Sequence, residues 1–191
     1  MVACAGAKES DVTSNFKIQM DDQVFSIVFP SPPEREFAKY RSVIPLHDNE
    51  LFEKPESVVG LKVHWQFRSG LFQKVAGVME VKVLLQAARA HDVTSLDGLK
   101  QQLHADFKRE LTRIGYSGEA VQFENLIING RSWLRYQVPV LRVIEYSTSL
   151  SDKRFLTVRF AFIDNTGDKS HAWYQEANEL SRKLTESMRV Q

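Results

Sequence analysis

A chain of 191 residues fits one domain, and 43% hydrophobic with 26% charged residues describes a folded globular protein rather than a disordered one. Its 25 basic and 24 acidic residues leave a formal charge of +1, too little for a bulk field that would hold nucleic acid or an anionic membrane. A single cysteine excludes an internal disulfide, and no apolar run approaches the roughly 18–20 residues that span a bilayer.

That cysteine comes first in chain order. Met1-Val2-Ala3-Cys4-Ala5-Gly6 matches the region where a bacterial lipoprotein precursor is cleaved, with small residues directly before the cysteine that takes the lipid. Met1 stands where the pattern has Leu and no apolar stretch precedes it, as in a chain restarted just upstream of its mature cysteine. Residues 1–15 then read as a tether, small, polar and charged, able to hold a domain a short distance from a bilayer. Lipidation of Cys4 is the expectation; a chance thiol on a frayed terminus is the competing reading.

The domain is expected over residues 16–191. Residues 16–20 and 23–29 alternate around Asp21-Asp22, a hairpin signal, and Pro30, Pro32 and Pro33 close it. A short helix is predicted over Glu34 to Tyr40, and Ser42 to Ser57 reads as a loop. Val59, Leu61, Val63, Trp65 and Phe67 alternate with Lys62, His64, Gln66 and Arg68, the strict period of two of a strand buried on one face. Val75 to Leu85 gives another strand, in which Gly77 signals a bulge or a close approach. From Leu96 to Ile114 the apolar period changes to three and four, predicting an amphipathic helix with Thr94 as N-cap and Gly115 as C-cap.

Asn129-Gly130 between two apolar runs predicts a type I′ hairpin in which Ile128 faces Arg131, Leu126 faces Trp133 and Glu124 faces Arg135. The alternate residues, Val121, Phe123, Ile127, Leu134, Tyr136 and Val138, read as core. A strand pair near residues 140–149 and 154–163 follows, then a C-terminal helix from a cap at Ser170 through Trp173, Ala177, Leu180, Leu184 and Met188. Seven or eight strands joined mostly by hairpins, with two main helices, define an α+β fold: an antiparallel sheet of about seven strands with helices packed on it.

Chemical signatures are sparse. No two of His47, His64, His91, His104 and His171 share a spacing that joins them on one element, and no metal site or cofactor is expected. No Gly-x-Ser-x-Gly elbow occurs, and Gly167-Asp168-Lys169 lacks the frame of a phosphate loop, so no catalytic residue is assigned. The one candidate contact is the hairpin face that carries Trp133 between Arg131 and Arg135, since Trp and Arg dominate binding hot spots. The alternative, weighted more heavily, is that Trp133 is covered and the arginine stems pack beside it.

The opening "FSIVFP" strand, the helix begun "SLDGLKQQL", the "IINGRSWLRYQV" hairpin, "EYSTSLSDKRFLTVRFAF" and the terminal "SRKLTESM" follow one another in an order that resembles the PsbP family. That family includes an extrinsic photosystem II subunit and a nuclear-transport protein that binds the GTPase Ran. The resemblance spans most of residues 16–191 and implies an α/β/α sandwich, generally without catalysis, with bacterial members often exported or lipid-anchored. The expected function is therefore a non-enzymatic lipoprotein of the bacterial cell envelope, on the periplasmic face of a membrane. It would bind a protein partner, touch the membrane only through its lipid, and bind no nucleic acid. The rivals are a soluble cytosolic adaptor without lipid and an enzyme with a non-standard site.

Overall fold

The computed structural model describes residues 14–31, 33, 38–53, 57–69, 74–113, 115, 121–138, 142–165 and 172–191. Cys4 and the tether as far as residue 13, most of the helix predicted from Glu34, and the cap predicted at Ser170 lie outside the described residues, while Ser14 and Asn15, expected in the tether, begin β1. In chain order the elements are β1 (Ser14–Met20), β2 (Gln23–Phe29), β3 (Lys39–Tyr40), α1 (Asn49–Glu53), β4 (Val58–Ser69), β5 (Lys74–Ala87) and α2 (Leu96–Arg113). Then follow β6 (Phe123–Ile128), β7 (Arg131–Val138), β8 (Val143–Ser149), β9 (Arg154–Asp164), α3 (Ala172–Ser187) and β10 (Arg189–Val190).

This is the expected α+β fold. A seven-stranded sheet runs in the order β3-β4-β5-β9-β8-β7-β6, with every neighbouring pair antiparallel. A three-stranded sheet, β1-β2-β10, forms a separate layer that the sequence pattern does not announce. It forms because the last residues turn back on β2, pairing Arg189 with Ser26 and Val190 with Phe25. Two residues carry too little pattern to be read as a strand.

The period of two sorts the large sheet into two unlike faces. One face presents Leu61, Val63, Trp65 and Phe67 of β4, Met79, Val81, Val83 and Leu85 of β5, and Leu156, Val158, Phe160 and Phe162 of β9. The small sheet and α3 close over it, with Phe25, Ile27, Phe29, Trp173, Ala177 and Leu184 in the same core. The opposite face carries a smaller core: Leu99 and Leu103 of α2 on Leu134, Tyr136 and Phe155. Helix α2 packs there on β7 and β8.

Gly77 shows how α3 docks. A Cβ at this position would stand 2.4 Å from the Trp173 ring, so the indole fills the space a side chain would need. The β4–β5 register also slips between Phe67 and Arg68, opposite Gly77 and Val75. Both readings of Gly77, bulge and close approach, apply.

Three local expectations are corrected. Lys39 and Tyr40 form a strand against Lys62 and Leu61, not a helix, because the Tyr40 ring packs edge-on to Phe16 at 5.3 Å and its hydroxyl donates to the Lys17 carbonyl. Helix α1 occupies part of the expected loop, its first turn held by the Asp48 carboxylate accepting from the Leu51 N–H at 3.3 Å. At α2 the cap is Ser95, whose Oγ accepts from the Gly98 N–H at 3.1 Å, while Thr94 bonds to Asp92. Gly115 closes that helix with φ of 72°, as expected of a left-handed C-cap.

Candidate functional site

The hairpin has the register its sequence dictates. Asn129 and Gly130 take φ of 49° and 80°, and Ile128, Leu126 and Glu124 face Arg131, Trp133 and Arg135. The exposed-contact reading of Trp133 is corrected: its ring is wholly buried in the larger core, because its side of β7 turns toward α3 and the small sheet. Its indole N–H has no hydrogen-bond partner among the described residues. The core expectation for Ile127 also fails, at 70% exposed. β6 is the outermost strand and α2 sits over β7 and β8, so nothing among the described residues covers Ile127.

The flanking arginines brace the fold. Arg131 is half-buried; its Nε donates to Thr148 Oγ1 at 3.1 Å, and its guanidinium also reaches the Ser149 carbonyl and, at 3.3 Å, Gln23 Oε1 of β2. It therefore bolts the small sheet to the large one. Arg135 pairs with Glu124 at 3.1 Å across the strands, a pair that sets register more than stability. Asn129 has a second task that no sequence signal announces: its Nδ2 donates to the carbonyls of Glu186 at 3.0 Å and Met188 at 2.8 Å, capping the end of α3.

The richer polar geometry lies elsewhere, on the α2 face of the large sheet. Strand pairing sets six polar side chains at one level across six strands: Lys39, Lys62, Lys82, Arg159, Glu145 and Tyr136. Lys39 faces Lys62, Lys62 faces Lys82, and Lys82 faces Arg159, so like charges oppose each other three times in succession. Such pairs destabilise a sheet unless counter-charges intervene. Glu80 lies between two of the lysines, with Lys82 Nζ at 2.7 Å and Lys62 Nζ at 3.0 Å. Burial pushes the Glu80 carboxyl up, but the bonds and charges of Lys82 and Lys62 outweigh that and hold it below the usual carboxylate range.

At the other end of the row Glu145 is buried, with Arg159 Nε donating to one carboxylate oxygen and the Tyr136 hydroxyl to the other. Burial, and then the charge of Glu145, raise the Tyr136 hydroxyl well above its ordinary value, so it stays protonated and donates. Ser147 lies 3.3 Å from that hydroxyl and 2.7 Å from Thr157, which in turn donates to Gln86 at 2.7 Å. This chain of bonds carries the sheet from the apolar zone under α2 to the solvated zone over β4, β5 and β9. His64 faces Glu80 beside the row, and Gln66 lies one further step along β4 on the same side.

Sequence reasoning misses this row. Its members are the polar halves of alternating strands, and only the strand order, with β5 beside β9, aligns them. Of the histidines, His47 lies 3.2 Å from Asp21, His104 points outward from α2, and His171 is outside the described residues. Among the described residues no three His, Cys, Asp or Glu side chains cluster as metal ligands, and no helix is long and apolar enough to cross a membrane. No protein-family model matches the chain, and no curated protein matches it.

Proposed function

We propose that this chain is a binding domain of a bacterial cell-envelope lipoprotein, held to a membrane by a lipid on Cys4 and engaging a protein partner through the α2 face of β4, β5 and β9. One observation carries the partner reading: α2 packs on β7, β8 and the Phe155 end of β9, whereas further along the same face β4, β5 and β9 set partly exposed Lys62, Lys82 and Arg159 at one level. A sheet that keeps three successive like-charge pairs departs from local stability rules, and such departures collect at functional surfaces. The groups best suited to proton transfer are engaged with one another: Tyr136 and Arg159 both donate to Glu145. That favours binding over catalysis. The order of elements supports a PsbP-like relationship, and the residues around Cys4 support the anchor.

The partner reading is tested by a photocrosslinking residue placed at Gln66, on this face, or at exposed Lys108 of α2, in the cells that make the protein. One discrete adduct from position 66 and none from 108 is expected; no adduct from 66 overturns the reading. For the anchor, a radiolabelled fatty acid should enter the product of the full gene and be lost in Cys4→Ala.

A further inference from the structure

The chemistry of the partner follows from the charge count of the row, and this step rests on the binding face proposed above. Four cations, Lys39, Lys62, Lys82 and Arg159, meet two carboxylates, Glu80 and Glu145, leaving two positive charges in excess. The excess is not spread evenly. Glu145 is buried and turned toward Tyr136 and Arg159, while Glu80 sits between Lys62 and Lys82. The boundary between β5 and β9, where Lys82 faces Arg159, has no carboxylate of its own at that level among the described residues. About a third of the side chain remains open at Lys62 (34%), Lys82 (28%) and Arg159 (38%). Most of each stem is therefore already ordered against the sheet, which lowers the entropic cost of receiving a ligand.

We infer that this surface receives an acidic segment of the protein partner, one partner carboxylate seating between Lys82 and Arg159. A carboxylate there relieves the Lys82–Arg159 opposition and offsets one of the two excess charges, a second acidic residue of the segment offsets the other, and the planar guanidinium of Arg159 suits a carboxylate acceptor. A nucleic acid fits less well. It presents closely spaced phosphates, which would meet Glu80 within the row, and a chain of net charge +1 supplies no long-range field to attract it. Adjacent strands lie about 4.8 Å apart, so the row from Lys62 to Arg159 spans about 10 Å. Two acidic residues on one side of an extended segment, about 7 Å apart, fit within that span.

The test uses the full chain and a fluorescein-labelled decapeptide of alternating Glu and Ser, read by fluorescence anisotropy at 50 mM NaCl. Saturable binding is expected, weakened about tenfold in Lys82→Gln, unchanged in Lys108→Gln, and largely lost at 500 mM NaCl. Lys82→Gln leaves Glu80 paired with Lys62, and a melt within about 2 °C of the parent would show that its fold is kept. A Lys/Ser decapeptide should not bind. The inference is overturned if the acidic peptide does not bind, if Lys82→Gln binds it as tightly as the parent, or if a ten-residue oligothymidylate binds more tightly. If position 66 yields an adduct while the peptide fails, the acidic partner is refuted and the binding face stands; if both fail, both fall.

Discussion

The indole of Trp173 fills the space that a side chain at Gly77 would occupy, with its ring atoms 2.4 Å from where a Cβ would stand. Helix α3 thus docks on the sheet through a missing side chain, beside a bulge in the β4–β5 pairing. Gly77→Ala should destabilise the fold by about 2–3 kcal/mol, because a rigid ring cannot move aside as a flexible side-chain end would. In a Trp173→Phe background the same change should cost clearly less, since the smaller ring frees the space. Urea melts of the four proteins give that coupling energy. Additive losses would show that Gly77 matters for another reason.

Asn129 joins a turn requirement to a capping role. Asn129→Gly keeps the left-handed backbone but loses both bonds to the end of α3, a cost of about 1–2 kcal/mol. Asn129→Asp should cost more, because a carboxylate cannot donate and would face the two carbonyl oxygens of Glu186 and Met188. Equal melts for Asn129→Gly and the parent chain would remove the cap from the account.

Much of the sheet is legible in the sequence because its signals are local. Strict alternation in residues 59–68 and the Asn129-Gly130 pair decide face and register within a few residues of sequence. The tertiary features are not legible. Tyr40 reads as helical, but packing on Phe16 and a bond to Lys17 hold it in a strand; β10 is two residues long and exists only because β2 receives it. The row of Lys39, Lys62, Lys82, Arg159, Glu145 and Tyr136 draws on six strands, so no window of sequence contains it. Trp133 falls between these cases. Its side of the strand is evident from the turn, but what covers that side depends on α3 and the small sheet.

Burial makes Trp133 a stability residue. Trp133→Ala should cost about 3–5 kcal/mol, measured by urea or thermal melting. Trp133→Phe should cost less than half as much, because it also removes an indole N–H without a partner among the described residues. A nearly unchanged melt for Trp133→Ala would contradict the packing described.

Glu80 should make stability depend on acid. Its folded carboxyl is held below the unfolded value near 4.5, so its contribution is present above that value and is lost as pH falls through the depressed one. Melting temperatures of the parent and Glu80→Gln should differ most above the ordinary carboxylate range and converge as pH falls through the depressed value to the acid limit. Removing Glu80 also leaves Lys62 and Lys82 opposed without their shared counter-charge, so the variant should be the less stable one at neutral pH. A difference that stays constant from neutral pH down to that acid limit would show that the carboxylate charge plays no part.

The central claim is that the charged half of the α2 face meets the partner, and the most direct measurement is the yield of the position-66 photoadduct in the parent chain and in Lys82→Gln. Both chains keep the same probe and the same core, and they differ by one cation on the face. The account predicts a discrete adduct in the parent that falls about tenfold in Lys82→Gln at equal protein level and equal melting temperature. An adduct of undiminished yield in Lys82→Gln, or one formed equally well from position 108, would contradict it.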